Sequence, residues 1–168
     1  TFVNNGANGG EAEKAHLADI NQKLARAFGN FTQKVVADEG KFTVATEAEM
    51  RGVPADVKSA ARNAAQSKGL PAGQYAILNT RSAADPVLTF ADNRALREKV
   101  WKEFVNRGDN GDPDDTNAII AEIVKLRADR ARLLGFPTHA HWRMENTMAK
   151  EPQKAMDLMM RVWPAAVA

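Results

Sequence analysis

Cysteine is absent from the 168 residues, which removes both disulfide frameworks and thiolate metal ligation. No HExxH, no GxSxG and no phosphate-cradling glycine loop occurs either, so the short motifs that most often announce an active site are missing. No apolar run approaches the roughly 18 residues that cross a bilayer, and the first residues lack the layout of a secretory signal. Charge of one sign is lacking too: 23 basic side chains face 21 acidic ones, for a formal +2. A balanced chain does not offer the concentrated basic face that phosphate backbones require, so neither nucleic acid nor membrane is expected as a partner. The cysteine-free composition suits the cytoplasm, with the periplasm as the alternative.

What is present is apolar content at 44%, enough for one respectable core. Leu17, Ile20, Leu24, Phe28, Phe31 and Val35 are spaced 3, 4, 4, 3 and 4, which predicts one long amphipathic helix after Gly9-Gly10 that ends near Glu39-Gly40. Thr46 and Glu49 have the spacing of a capping box, Pro54 is expected as a first helical residue, and Gly69 with Pro71 stops that helix. "QYAILNT" at 74–80 is the only convincing strand, without an evident partner. Asp85 is expected to cap a helix opened by Pro86, and Leu96, Val100 and Phe104 continue a helical stripe. A further helix is predicted from Asp115 to Leu134, stopped by Gly135; Thr138 caps a short one, and Pro152 opens the last. The expected fold is all-α, a helical bundle or superhelix with at most one short strand, in a single helical region over 1–168.

Three clusters hold groups with chemical potential. His139 and His141 are two apart, which on a helix points them about 200° away from each other. His141 and Glu145 share a helical face, but two ligands fall short of the three or four that zinc takes. Asp109, Asp112, Asp114 and Asp115 lie in an acidic loop, yet the twelfth position of a calcium loop would be isoleucine, and a turn leading into a helix N-terminus fits better. Arg127, Asp129, Arg130 and Arg132 read as a solvated helix face with local ion pairs. No catalytic, cofactor-binding or metal-binding residue is assigned on these grounds.

Wording is more informative than periodicity. "NRALREKVWKEFVNRG" at 93–108, "NAIIAEIVKLRADRARLLGF" at 117–136 and "MAKEPQKAMDLM" at 148–159 resemble, in this order, a succession found in the oligopeptidase family of zinc metallopeptidases. The likeness rests on Asn93, Arg94, Arg97, Glu98 and Trp101, then Asn117, Leu126, Arg127, Ala131, Leu133, Leu134, Gly135 and Phe136, and finally Met148, Ala149 and Pro152. "INQKLARAFGNFTQKV" at 20–35 is most similar to the peptidyl-dipeptidase branch.

The resemblance implies a helical lobe of a zincin-like enzyme whose HExxH helix and further glutamate ligand lie C-terminal to the Leu-Leu-Gly-Phe segment. It carries no catalytic or zinc-binding residue onto any position here. The parent enzyme would use zinc to activate water and hydrolyse short peptides, releasing C-terminal dipeptides; these helices would form one wall of its substrate channel. Implied partners are short peptides and the remaining C-terminal catalytic part of the same chain. The opening Thr1-Phe2 and the closing "RVWPAAVA" read as cut ends, so the chain is expected to be an inactive fragment without bound zinc that self-associates through exposed apolar surface. The rival expectation is a stand-alone helical interaction module without enzymatic activity.

Overall fold

A computed structural model describes residues 5–168, so the Thr1-Phe2 opening lies outside the described residues. Among the described residues, seven helices and two strands occur in the order α1 (Glu11–Glu39), β1 (Phe42–Thr46), α2 (Ala55–Ser67), β2 (Gln74–Leu78), α3 (Arg81–Phe90), α4 (Arg94–Val105), α5 (Asn117–Leu133), α6 (His139–Met144) and α7 (Pro152–Val167). The mostly helical expectation holds. Two compact units divide the chain, one of residues 1–29 and 119–168, the other of residues 30–118.

The 30–118 unit owns the larger apolar core. Met50, Tyr75, Ile77, Val87, Leu96 and Val100 are buried together with Ala45, Ala61 and Ala84, and full burial of each large side chain contributes about 1.5–3 kcal/mol. The strand at 74–78 has a partner after all: β1 pairs with it antiparallel, Phe42 opposite Leu78 and Thr46 opposite Gln74. β1 was invisible to hydrophobic patterning because its fully buried positions are Thr43 and Ala45, neither of which signals a core face. Tyr75 buries its ring in β2, accepts a bond from Arg62 Nη2 at 2.7 Å and donates its hydroxyl proton to Glu47, so the phenol is satisfied on both sides.

Local chemistry sets the helix ends, with two departures from expectation. Thr46 and Glu49 do exchange reciprocal bonds, with Thr46 N–H donating to Glu49 Oε2 at 2.8 Å. They close the turn after β1, however, and Pro54 is the residue before α2 rather than its first. The α2 end follows the left-handed glycine pattern: Leu70 N–H returns to the Ala65 carbonyl and Gly69 N–H to that of Gln66, both at 3.0 Å. The Asp85-Pro86 start is the second departure. α3 begins five residues earlier, at Arg81, with Thr80 before it, and Pro86 sits inside the helix. Asp85 instead accepts Arg81 Nε at 3.0 Å, one turn back. Proline costs an interior helix a hydrogen bond, but here the helix continues for only four residues beyond it, and buried Ala84 and Val87 anchor it to the core.

The 1–29/119–168 unit comprises the first part of α1 and the helices from α5 onward. Ile20, Leu24 and Ala27 of α1 and Ile123 and Ala131 of α5 are its buried apolar residues. α5 ends as the glycine predicted: Phe136 N–H bonds the Ala131 carbonyl at 2.8 Å, with Gly135 at φ 80°. Thr138 caps α6 by accepting His141 N–H, and Pro152 is the first residue of α7. α7 buries none of its residues.

Candidate functional site

Two polar clusters stand out, one in each unit. In the 30–118 unit the last turn of α1 delivers Asp38 into a fully buried position. Its Oδ2 accepts the backbone N–H of Gly108 at 2.6 Å and Asn110 Nδ2 at 2.9 Å. Its Oδ1 contacts the Lys41 ammonium, which reaches on to Asp112 Oδ2 at 2.5 Å. Asp38, Asp112 and Asp114 bring carboxylate oxygens within 4.8 Å of one another, an arrangement that attracts a cation. The chain supplies that cation itself, as Lys41. The hydrogen bonds that Lys41 donates, to Asp112 first and Asp38 second, hold its ammonium well above the usual lysine range, and the same bond keeps Asp112 below the usual carboxylate range.

The rest of the acidic loop is committed to turn geometry. Asp112 Oδ1 accepts Asp114 N–H at 2.9 Å, while Asp115 accepts the N–H groups of Gly111 and Asn117 at 3.0 and 2.9 Å. Asp109 Oδ1 accepts Asn117 Nδ2 at 2.6 Å. Thr116, buried, bonds the Gly108 carbonyl through both its backbone N–H at 2.7 Å and its hydroxyl at 2.9 Å. The cluster therefore ties the end of α1 to the segment that starts α5, and the acidic residues serve the helix start as the sequence pattern suggests.

The second cluster lies where α5 meets α6. Arg130 Cζ is 4.4 Å from the centre of the Trp142 ring, Arg143 Cζ is 5.6 Å from the same ring, and Arg127 Cζ is 5.2 Å from that of Phe28. His139 stacks on Trp142 with 5.5 Å between ring centres. Burial pushes the His139 imidazole below its ordinary value, and the cations Arg127, Arg130 and Arg143 push it further. The same burial, followed by Arg127 and Arg143, lowers Arg130. Arg127 Nε, Arg130 Nε and His139 Nδ1 are buried without hydrogen-bond partners. Only half of the basic run is thus a solvated face: Arg132 pairs with Asp129 at 2.5 Å, whereas Arg127 and Arg130 turn onto aromatic rings. The signal was available in spacing. Arg127 falls four residues after buried Ile123 and four before buried Ala131, which puts it on the inward face.

Neither cluster fits a zinc ion. His141 Nδ1 shares a hydrogen bond with Thr138 Oγ1 at 2.8 Å, and His139 is surrounded by three cations. Asp38, Asp112 and Asp114 offer only hard carboxylates, two of them already bonded to Lys41, without the imidazoles zinc selects. A cavity of about 340 Å³ in the 30–118 unit, reached between α2, β2 and α3, is walled mainly by Val57, Ala61, Ala64, Ile77 and Val87. Its polar lining is Asp56, Thr80 and Ser82.

Likeness to known proteins supplies what the two clusters do not. The model of "Peptidase family M3" matches residues 87–167. The chain is 35% identical to the dipeptidyl carboxypeptidase of Escherichia coli strain K12 over 98% of its own length and 24% of that protein's. It is 30% identical to oligopeptidase A of Haemophilus influenzae over 89% of this chain and 22% of that one. Against saccharolysin of Saccharomyces cerevisiae the identity is 20%, over 94% and 21%. Residues 87–167 carry the pattern of peptidase family M3, and the chain is similar to members of that family over nearly its whole length.

The chain spans about a quarter of the length of the curated relatives it matches. Within that quarter, several of the motif residues mark helix boundaries. Asn93 caps α4 by accepting Leu96 N–H at 2.9 Å, and Arg97 of the first α4 turn donates to the carbonyls of Ala91 and Asp92. Asn117 opens α5, Gly135 and Phe136 close it, and Pro152 opens α7.

Proposed function

We propose that these residues are the non-catalytic helical portion of a zinc metallopeptidase that hydrolyses short peptides and releases C-terminal dipeptides. The observation that carries this is the 35% identity to a dipeptidyl carboxypeptidase across 98% of the chain. A likeness so complete over this chain and so partial over the relative suits a segment of a larger catalytic molecule. Zinc, bound by residues outside these 168, would activate the water that attacks the scissile carbonyl. The helices described here would contribute a wall of the channel that admits unfolded peptides, and the rest of the catalytic chain would be their principal partner.

The test is an assay of two proteins on an N-blocked tetrapeptide: this 168-residue chain, and the same sequence extended to the length of its relatives. The extended protein should release the C-terminal dipeptide and lose that activity to a zinc chelator, while the short chain should be inactive. An extended protein that cleaves no peptide would leave the rival reading, a helical interaction module using exposed residues such as Met156, Met160 and Trp163 of α7.

A further inference from the structure

The arginines between α5 and α6 form a cluster that is incomplete as it stands. Like charges repel, and guanidinium groups approach one another in proteins mainly when an anion lies among them or when solvent surrounds each. Here no anion is found among them within the described residues of the unit, and although Arg143 is exposed, Arg127 and Arg130 are partly buried. The electrostatic neighbours of Arg130 and of His139 are cations throughout: Arg127 and Arg143 for the first, and those two with Arg130 for the second. Among the described residues no ion pair involves Arg127, Arg130 or Arg143, whereas Arg132 on the same helix has one, with Asp129. Asn21, a neutral amide of α1, is the one hydrogen-bond acceptor at Arg130, through Nη1 at 3.1 Å. Two buried Nε–H donors remain unmet, which is costly unless something completes the site.

We propose that Arg127 and Arg130, assisted by Arg143, form a binding site for a single carboxylate group. The aromatic rings explain the choice of ligand. Phe28 and Trp142 hold the guanidinium faces at 5.2 and 4.4 Å, so the edges carrying N–H groups are what a ligand meets. A planar carboxylate matches such an edge with two parallel hydrogen bonds. A phosphate would gain from a cradle of backbone N–H groups, and the nearest helix start does not provide one: His141 N–H at the head of α6 is taken by Thr138. Neutral His139, stacked on Trp142, adds a donor or acceptor without another charge. The carboxylate has two possible sources, the free terminus of a peptide or an acidic side chain of protein outside this segment, and both present the same group. The site stands independently of the peptidase reading, since it rests on the unpaired arginines alone.

The emission of Trp142 reports on the site directly. Trp101 and Trp163, 52% and 61% exposed, are replaced by phenylalanine in the 168-residue chain, leaving Trp142 as the single fluorophore. Four probes are titrated: N-acetyl-alanyl-alanine, its C-terminal amide, N-acetyl-glutamyl-alaninamide, and inorganic phosphate. At least one carboxylate probe should give a saturable change with affinity about tenfold or more above the fully amidated peptide, as a charge-assisted paired contact requires. Preference for the free acid assigns the site to a peptide terminus; equal binding of the glutamyl amide assigns it to an acidic side chain. Arg127→Gln and Arg130→Gln should each weaken binding about tenfold, Arg130→Lys should restore it only in part, and Arg132→Gln should leave it unchanged. With the circular dichroism of the Trp101→Phe, Trp163→Phe chain matched beforehand to that of the natural sequence, no saturable binding of either carboxylate, equal binding of the neutral amide, or tighter binding of phosphate overturns the proposal.

Discussion

Asp38 accepts the backbone N–H of Gly108 at 2.6 Å across 70 residues of chain, making a fully buried carboxylate the tie between the end of α1 and the loop that precedes α5. Asn110 and Lys41 complete its shell. Removing one partner from such a set leaves the others desolvated and unmet. Asp38→Ala should therefore destabilise the chain by about 2–3 kcal/mol, with Asp38→Asn keeping part of that because the amide still reaches Gly108. Denaturant titration of the far-ultraviolet signal measures both, and a loss below about 0.5 kcal/mol for the alanine variant would mean that water replaces the carboxylate freely.

Asp112 gives the same cluster a pH dependence. Its hydrogen bond from Lys41 is the largest influence that holds its pKa below the ordinary value. A carboxyl whose folded pKa is lowered contributes stability above the unfolded value, about 3.9, and loses it as pH falls through the folded value. Stability should thus drop below about pH 4, and Asp112→Asn should flatten that part of the profile. An unchanged acid limb in the variant would show that other carboxylates control it.

These ties are the part of the molecule that the sequence hides. Helix boundaries were legible because their instructions are local: Asn93 and Thr138 cap the next turn, Pro152 sets a first residue, and Gly135 takes a left-handed φ. Local chemistry misled where a turn signal coincided with a different element, as with Pro86, which resembles a helix opener yet lies inside α3. Thr43 and Ala45 concealed β1, since a buried threonine looks like a loop residue until its strand partner is known. Asp38 could not be read as buried from its own neighbourhood, because the groups that satisfy it arrive from residues 108 and 110. The family likeness was legible in ordered motif wording, not in any reacting group.

His139 should make the chain sensitive to mild acid. Burial, then Arg127, Arg130 and Arg143, lower its pKa in the folded chain. The unfolded chain, with histidine near 6.5, binds the proton first, so stability falls as pH drops below about 6.5 and the loss levels off below the folded value. Thermal melts at pH 7.5 and pH 5 should differ for the natural sequence, and His139→Gln should narrow that gap. A gap of the same size in the variant would assign the effect elsewhere.

Zinc content separates this segment from the catalytic part proposed for the longer protein. His139 among three cations, His141 bonded to Thr138 and a carboxylate group already holding Lys41 offer no first shell for the ion. Purified from zinc-supplemented medium, the chain should hold far less than one equivalent by elemental analysis. In the extended protein, replacing both histidines with alanine should leave zinc occupancy unchanged. One tightly held zinc per 168-residue chain, or loss of zinc from the extended double variant, contradicts the assignment.

α7 bears on how the chain behaves in isolation. Met156, Met159, Met160, Trp163 and Val167 recur at helical spacing and are each about half exposed or more, while no residue of the helix is buried. A run of methionines, adaptable in shape, with a tryptophan among them makes a surface that packs readily against another apolar face. The chain should therefore associate with itself as concentration rises, and unfold with weak cooperativity because α7 contributes little to either unit's core. Met156→Glu with Met160→Glu, one turn apart, should reduce association, and extension to the length of the relatives should suppress it by covering the stripe. Light scattering with circular dichroism across a hundredfold concentration range provides the comparison. A monodisperse monomer with a sharp two-state transition would mean that the exposed stripe is tolerated by an autonomous unit, which favours the interaction-module reading over the peptidase segment.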